Sequence, residues 1–260
     1  MYSLKAQNRI GFTSSPWLLL VILLVIGTGR INASGQAGKS TVTLYSSDSL
    51  LITADEYVSS DTLPYVVLLH EQGSSRGEYS TIIHRFRKMN YNCLVPDLRN
   101  GGNSSFVTNE TARRSRKRKY GKSVDDIEGD IRAAVRYATK KSGQPVALVG
   151  AGANGSLAMK AAKELDSVQA VIALSPGEYF RNKFSVEETL TGIEKPVLVV
   201  SSQMEYPYMK QLLSNVDEHY KELFKPETHE GRRGTAALMS ENPSQGDYWL
   251  SILLFFKDLQ

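Results

Sequence analysis

The 260-residue chain predicts a layered α/β domain: a mostly parallel central sheet with an N-terminal hairpin and helices on both faces. Three observations predict it. From Ser40 onward strand and helix signals alternate, with no internal repeat and no long low-complexity linker. The stretch PVALVGAGANGSLA, Pro145 to Ala158, reads as a buried strand, a glycine-laden turn and a helix start. The chemically promising loops all follow strands, where ligands bind in open α/β sheets. A hydrophobic content of 41% is ample for a full core.

Residues 1–38 stand apart from the fold, which is assigned to residues 39–260. Lys5 and Arg9 precede the apolar run Trp17 to Ile26, which Gly27 and Gly29 interrupt, a positive n-region followed by a short h-region. Ten apolar residues are few for a membrane span, so a secretory signal cut after Ala33 or Ala37 is expected. The alternative is an uncleaved anchor with Trp17 and Arg30 at the two interfaces. Both readings put the domain outside the cytoplasm, periplasmic or secreted.

STVTLY and SLLITADEYV, separated by Ser46-Ser47-Asp48, predict the hairpin, and YVVLL from Tyr65 predicts a buried strand. A helix is expected over Tyr79 to Met89, then the strand NCLVP. In VDDIEGDIRAAVRYATKK, Val124, Ile127, Ile131, Val135 and Ala138 recur at helical spacing; Ser123 is the expected N-cap, Asp126 its capping-box partner, and Gly143 the stop. Further strands are expected at Ala147 to Val149, Val168 to Leu174 and Pro196 to Val200, and DYWLSILLFFKDL predicts a C-terminal helix on the sheet.

The net charge of +4 and the pI near 9.0 come from one place: six of the seven residues from Arg113 to Lys119 are basic. Arg113, Arg114, Arg116, Lys117, Arg118 and Lys119 are read as part of a loop, residues 103–122, that is either a solvated excursion or a contact for an envelope polyanion; no nucleic acid is expected, and membrane contact only through the N-terminal segment. The single cysteine, Cys93, rules out an intramolecular disulfide and reads as a buried, inert thiol. His70, His84, His219 and His229 lack metal-ligand spacing, so no metal is expected. Gly150 to Gly155 spells G-x-G-x-x-G, yet Ser175 and Pro176 stand where dinucleotide binding needs an acidic residue, so no cofactor is expected either.

Six segments, LLHEQGSSRGEY, LVPDLRNGGNS, LVGAGANGSLA, IALSPGEYF, VLVVSSQMEY and HEGRRGTAAL, occur in the order and spacing of the α/β-hydrolase superfamily. The chain most resembles the dienelactone-hydrolase-like branch of exported bacterial proteins, from roughly Thr41 onward.

The resemblance implies site positions, and several are altered. The nucleophile's place holds Gly152, which has no atom able to attack. The oxyanion hole would use main-chain N–H groups from His70-Glu71-Gln72 and from Ala153, although His70 and Gly73 equally fit a purely structural turn. Glu205 takes the acid's place, or is a solvated loop residue. The base's place falls on Arg233, with His229 four residues upstream as the alternative. Arginine cannot accept a proton at physiological pH, so with Arg233 there the triad is degenerate twice over. Ser74, Ser75, Cys93 and Ser156 are poor substitutes, having no base at a predictable distance. The reading is a pseudoenzyme that binds or scaffolds; the alternative is a hydrolase of small esters or lactones in which Glu205 and His229 activate water.

Overall fold

A computed structural model describes residues 38–259, so the expected export or anchor segment lies, but for Gly38, outside the described residues. β1 (Lys39–Tyr45) and β2 (Leu51–Tyr57) pair antiparallel from Lys39 with Tyr57 to Tyr45 with Leu51, the hairpin read from the sequence. β3 (Tyr65–Leu69), β4 (Asn92–Pro96), β5 (Val146–Ala151), β6 (Val168–Leu174), β7 (Val197–Val200) and β8 (Lys221–Phe224) complete one sheet in the order β1-β2-β4-β3-β5-β6-β7-β8. β2 meets β4 antiparallel, and every later pairing is parallel. β8 escaped the sequence reading because KELF is a short edge strand without a buried apolar run.

Successive side chains of β3 serve two cores. Val67 and Leu69 join α3 (Val124–Ser142), α4 (Gly152–Glu164) and, farther along, α5 (Val186–Thr189) and α6 (Tyr206–Leu212). Val66 and Leu68 join α1 (Ile83–Lys88) and α7 (Gln245–Asp258) on the other face, where Phe86 meets the Trp249 ring edge-on at 5.1 Å. α3 carries the expected capping box, with Asp126 N–H on Ser123 Oγ and Ser123 N–H on the Asp126 carboxylate; Gly143 closes it at φ +71°.

Two expectations are corrected. The helix read over Tyr79 to Met89 is broken: a 3₁₀ turn capped by Ser75 spans Arg76–Tyr79, and α1 begins only at Ile83, after Thr81 and Ile82, β-branched residues that helices disfavour. The basic run is no solvated loop. It forms α2 (Glu110–Arg118), because Asn109 caps Ala112 N–H at 2.7 Å and the Asp97 carboxylate takes Glu110 N–H at 2.8 Å. Thr111, Ala112 and Ser115 bury one face, Thr111 Oγ1 accepts Thr53 N–H from β2, and Arg114 donates to Thr53 Oγ1 and the Leu51 carbonyl. These local bonds outweigh the repulsion along the exposed face.

Candidate functional site

The centre of the site is the turn from β5 into α4. The helix passes close over the strand end, where a Cβ on Gly150 would lie 2.9 Å from Gly155 Cα and one on Gly155 2.9 Å from the Gly150 carbonyl. Only glycines allow that approach. Between them Gly152 adopts φ +55°, and a Cβ there would point into open space with nothing within 4 Å. The fold thus presents a bare position at the tip of a left-handed turn, at the carboxyl end of a central strand.

One flank is buried and fully bonded. His70 is inaccessible; its Nδ1–H donates to the Glu71 carbonyl at 2.8 Å, while Nε2 accepts Leu98 N–H at 2.9 Å. Burial drives its pKa down to about 4, so the ring is a neutral fastener and has no free nitrogen for chemistry. Asn154, in the first turn of α4, donates to the His70 carbonyl at 2.6 Å and accepts from Asn100 at 2.7 Å, tying the turn to the loops after β3 and β4. Glu71 N–H goes to the Glu78 carboxylate at 3.1 and 3.2 Å, and Gly73 N–H to the Asn100 carbonyl. Glu71 N–H of the expected oxyanion segment is thus occupied, while Ala153 N–H lies in a first helical turn and has no helical partner four residues back. Burial raises the Glu78 carboxyl to about 7.

The other flank carries the acid and base positions. Glu205, at the start of α6, accepts Ser175 Oγ at 2.9 Å, Ser202 Oγ at 2.8 Å and Ser202 N–H at 3.1 Å, and its second oxygen accepts Arg233 Nε at 2.6 Å. Burial pushes the Glu205 carboxyl up, but the donations from Ser202, Ser175 and Arg233 outweigh it and hold the group below the ordinary range. His229 is exposed and supplies none of these four contacts. Ser175, with φ +50°, also accepts Gly234 N–H at 2.9 Å and so locks the Arg233 loop in place.

Beside this pair opens a cleft of about 610 Å³, lined by Tyr179, Met204, Glu205, Tyr208 and Arg233 among others. Arg233 is 69% exposed and lines the cleft, with Nε held on Glu205. The substitute nucleophiles lie elsewhere. Ser156 Oγ is buried between the Gly177 N–H and carbonyl, Ser75 caps a turn, Ser74 is buried, and burial raises the Cys93 thiol far above its ordinary value. The sequence reading did not pick out Ser175, Ser202, Asn100 or Asn154. Their signal was position: each sits in a loop or first helical turn directly after a strand of the parallel part.

Residues 52–223 match the model of the dienelactone hydrolase family. The chain belongs to that family. Its eight-stranded, mostly parallel sheet is the α/β-hydrolase fold, and solved structures agree. An esterase of Pyrococcus furiosus superposes with a TM-score of 0.64 at 16% identity, covering 85% of this chain and 90% of that one. A dienelactone hydrolase of Anabaena variabilis gives 0.63 at 15% identity, covering 85% and 97%. A Pyrobaculum calidifontis esterase gives 0.62 at 13% identity, covering 85% of each chain. At such identities the likeness speaks for the fold alone. A comparison with curated protein sequences gave no match.

Proposed function

We propose that this member of the dienelactone hydrolase family is an exported non-catalytic protein that holds, without cleaving, a small ester, lactone or carboxylate in the cleft beside Arg233. The observation that carries the reading is the bare tip at Gly152, where a side chain would have open space and none is present. Acyl transfer needs an attacking oxygen or sulfur at that tip and a proton acceptor near it. Glycine supplies no attacking atom, and an arginine bonded to Glu205 accepts no proton. What remains can bind: N–H groups of Gln72 and Ala153 for a carbonyl oxygen, the open guanidinium N–H groups of Arg233 for a carboxylate, and the apolar surfaces of Tyr179, Met204 and Tyr208 for the rest of the ligand. The alternative, water activated by Glu205 and His229, has less in its favour, because Glu205 is bonded to Ser175, Ser202 and Arg233 and His229 is exposed.

The test compares wild-type protein, Gly152→Ser and the double variant Gly152→Ser, Arg233→His on a panel of p-nitrophenyl esters and with a fluorophosphonate label. Wild type is expected to match the buffer rate and to stay unlabelled; Gly152→Ser alone stays unlabelled for want of a base, and the double variant is labelled at the serine introduced into the turn. Wild-type turnover that disappears in His229→Ala would overturn the proposal in favour of water activation. Export is checked separately by fractionation and by the mass of the mature N-terminus.

A further inference from the structure

The inner face of α7 is fully committed to the fold. Tyr248, Trp249, Ile252, Phe255 and Phe256 are buried, the Tyr248 hydroxyl donates to the Ser201 carbonyl at 2.9 Å, and Trp249 Nε1–H donates to the Leu238 carbonyl at 3.0 Å. The outer face is nonetheless apolar. Leu250, Leu253 and Leu254 are 55%, 46% and 50% exposed, whereas the other large apolar side chains in contact with water are Tyr45 and Phe106, on separate elements, and residues such as Tyr179, Met204 and Tyr208 that line the Arg233 cleft.

Helical spacing gathers these leucines with two opposite charges. Asp247, Leu250, Leu254 and Lys257 follow one another at intervals of three, four and three residues, and all four are exposed. Residues three or four apart share a helix face, and this alternation is the seam spacing of paired helices. The outer face therefore reads acid, leucine, leucine, base. Along one side of it runs a groove of about 480 Å³ between α7 and α1, lined by Trp249, Leu250, Leu253, Arg85, Lys88 and Met89, with the Arg85 guanidinium 5.2 Å above the Trp249 ring. Protruding leucines and a hollow to receive them thus occur on one surface.

A face that reads acid, leucine, leucine, base is complementary to its own reverse. When two copies of α7 lie antiparallel and cross level with Ile252, each Leu250 falls opposite the second copy's Leu254 and each Asp247 opposite the second copy's Lys257, so a single two-fold axis satisfies both contacts twice. Parallel helices would instead set Asp247 against Asp247 and Lys257 against Lys257. Asp247 and Lys257 also suit the two ends of the helix dipole, but the dipole does not require them to share a face with the leucines. A lipid surface would accept the leucines and leave the acid unanswered.

We propose that the outer face of α7 is a homodimer interface, an antiparallel two-fold contact between two copies of this chain. The reading is independent of the cleft. The test uses the full chain with its N-terminus as expressed, because every variant carries the same N-terminus and the quantity read is the difference among them. Sedimentation equilibrium should find wild type at twice the chain mass, dissociating on dilution. Leu250→Ser withdraws two leucines per dimer and should raise the dissociation constant about a hundredfold, at roughly tenfold for each leucine returned to water. Asp247→Lys and Lys257→Asp each oppose like charges and should weaken the dimer several-fold, while the double reversal restores it. Mixed together, the two single reversals should form the mixed dimer in excess over either homodimer, read by native mass spectrometry with one copy tagged. Melting temperatures check that these surface variants fold; should Leu250→Ser melt early, Leu254→Ser carries the same test. Wild type at the mass of one chain, a dimer indifferent to Leu250→Ser, or charge reversals that neither weaken singly nor rescue together would each overturn the proposal. So would wild type that stays monomeric yet co-sediments with phosphatidylcholine vesicles through these leucines.

Discussion

The two flanks of the Gly152 turn are built differently. On the side of β3 and β4 the large buried polar side chains are bonded: His70 uses both ring nitrogens, and the inaccessible Arg99 binds Asp130, Asp48, Ser46 and the Gly121 carbonyl. On the side of β7 the guanidinium of Arg233 makes one bond to Glu205 and is otherwise open. The first flank is where the fold keeps its stability, and the second is where chemistry would take place. Substitutions on the second flank should therefore cost the fold little, so the architecture itself requires neither a side chain at Gly152 nor a histidine at Arg233.

Two arginine substitutions test this contrast with the largest expected effect. Arg99→Ala leaves Asp130, itself inaccessible, as an unpaired buried charge, which destabilises by about 3 to 5 kcal/mol. Arg233→Ala breaks a pair that water already screens and should cost less than about 1 kcal/mol. Urea unfolding of both variants measures the gap. Equal losses would mean that the acid–base flank supports the fold after all.

The buried flank also predicts an unusual response to pH. His70 sits near 4 in the fold and near 6.5 when unfolded, so the unfolded chain takes up its proton first and stability falls as pH drops from 6.5 to 4. Glu78 does the reverse. Its carboxyl sits near 7 in the fold against 4.5 unfolded, so the unfolded chain releases its proton first and stability falls as pH rises from 4.5 to 7. The two slopes oppose each other across nearly the same window. In Glu78→Gln one of them is gone: relative to wild type the variant should gain steadily between pH 4.5 and 7, by up to about 3 kcal/mol. A flat difference between the two unfolding curves across that range would remove Glu78 from the buried network.

Legibility followed the same division. The hairpin, β3 to β7, the capping box of α3 and the register that puts Gly152 at the turn were readable because each rests on local pattern: buried runs, a Ser-x-x-Asp pair, glycines at fixed spacing. β8 was not readable, since an edge strand of four half-buried or exposed residues is defined by the neighbour it pairs with. α2 was misread because composition suggested solvation, while its two decisive bonds, from Asn109 and Asp97, depend on where β4 ends. The same holds within the site. Gly152, Glu205 and Arg233 were named from order along the chain, but their support by Ser175, Ser202 and Asn154 is tertiary. Nor could sequence tell that Glu71 N–H is occupied by Glu78.

The smallest predicted effect bears on the turn itself. At φ +55° a residue with a Cβ is strained, yet the space beside Gly152 is empty, so the penalty is conformational and free of collision. Gly152→Ala and Gly152→Ser should therefore each lose about 1 kcal/mol, the low end of the strain range for such turns, and by nearly equal amounts. Equality is the informative part: if serine were stabilised over alanine, its hydroxyl would have found a partner, and the tip would contain a group able to hold a nucleophile. If both cost several times more, the space is not open and no ligand atom could reach it. A small and equal loss means that relief of backbone strain is what the fold gains from glycine here, and that the space beside the turn is open.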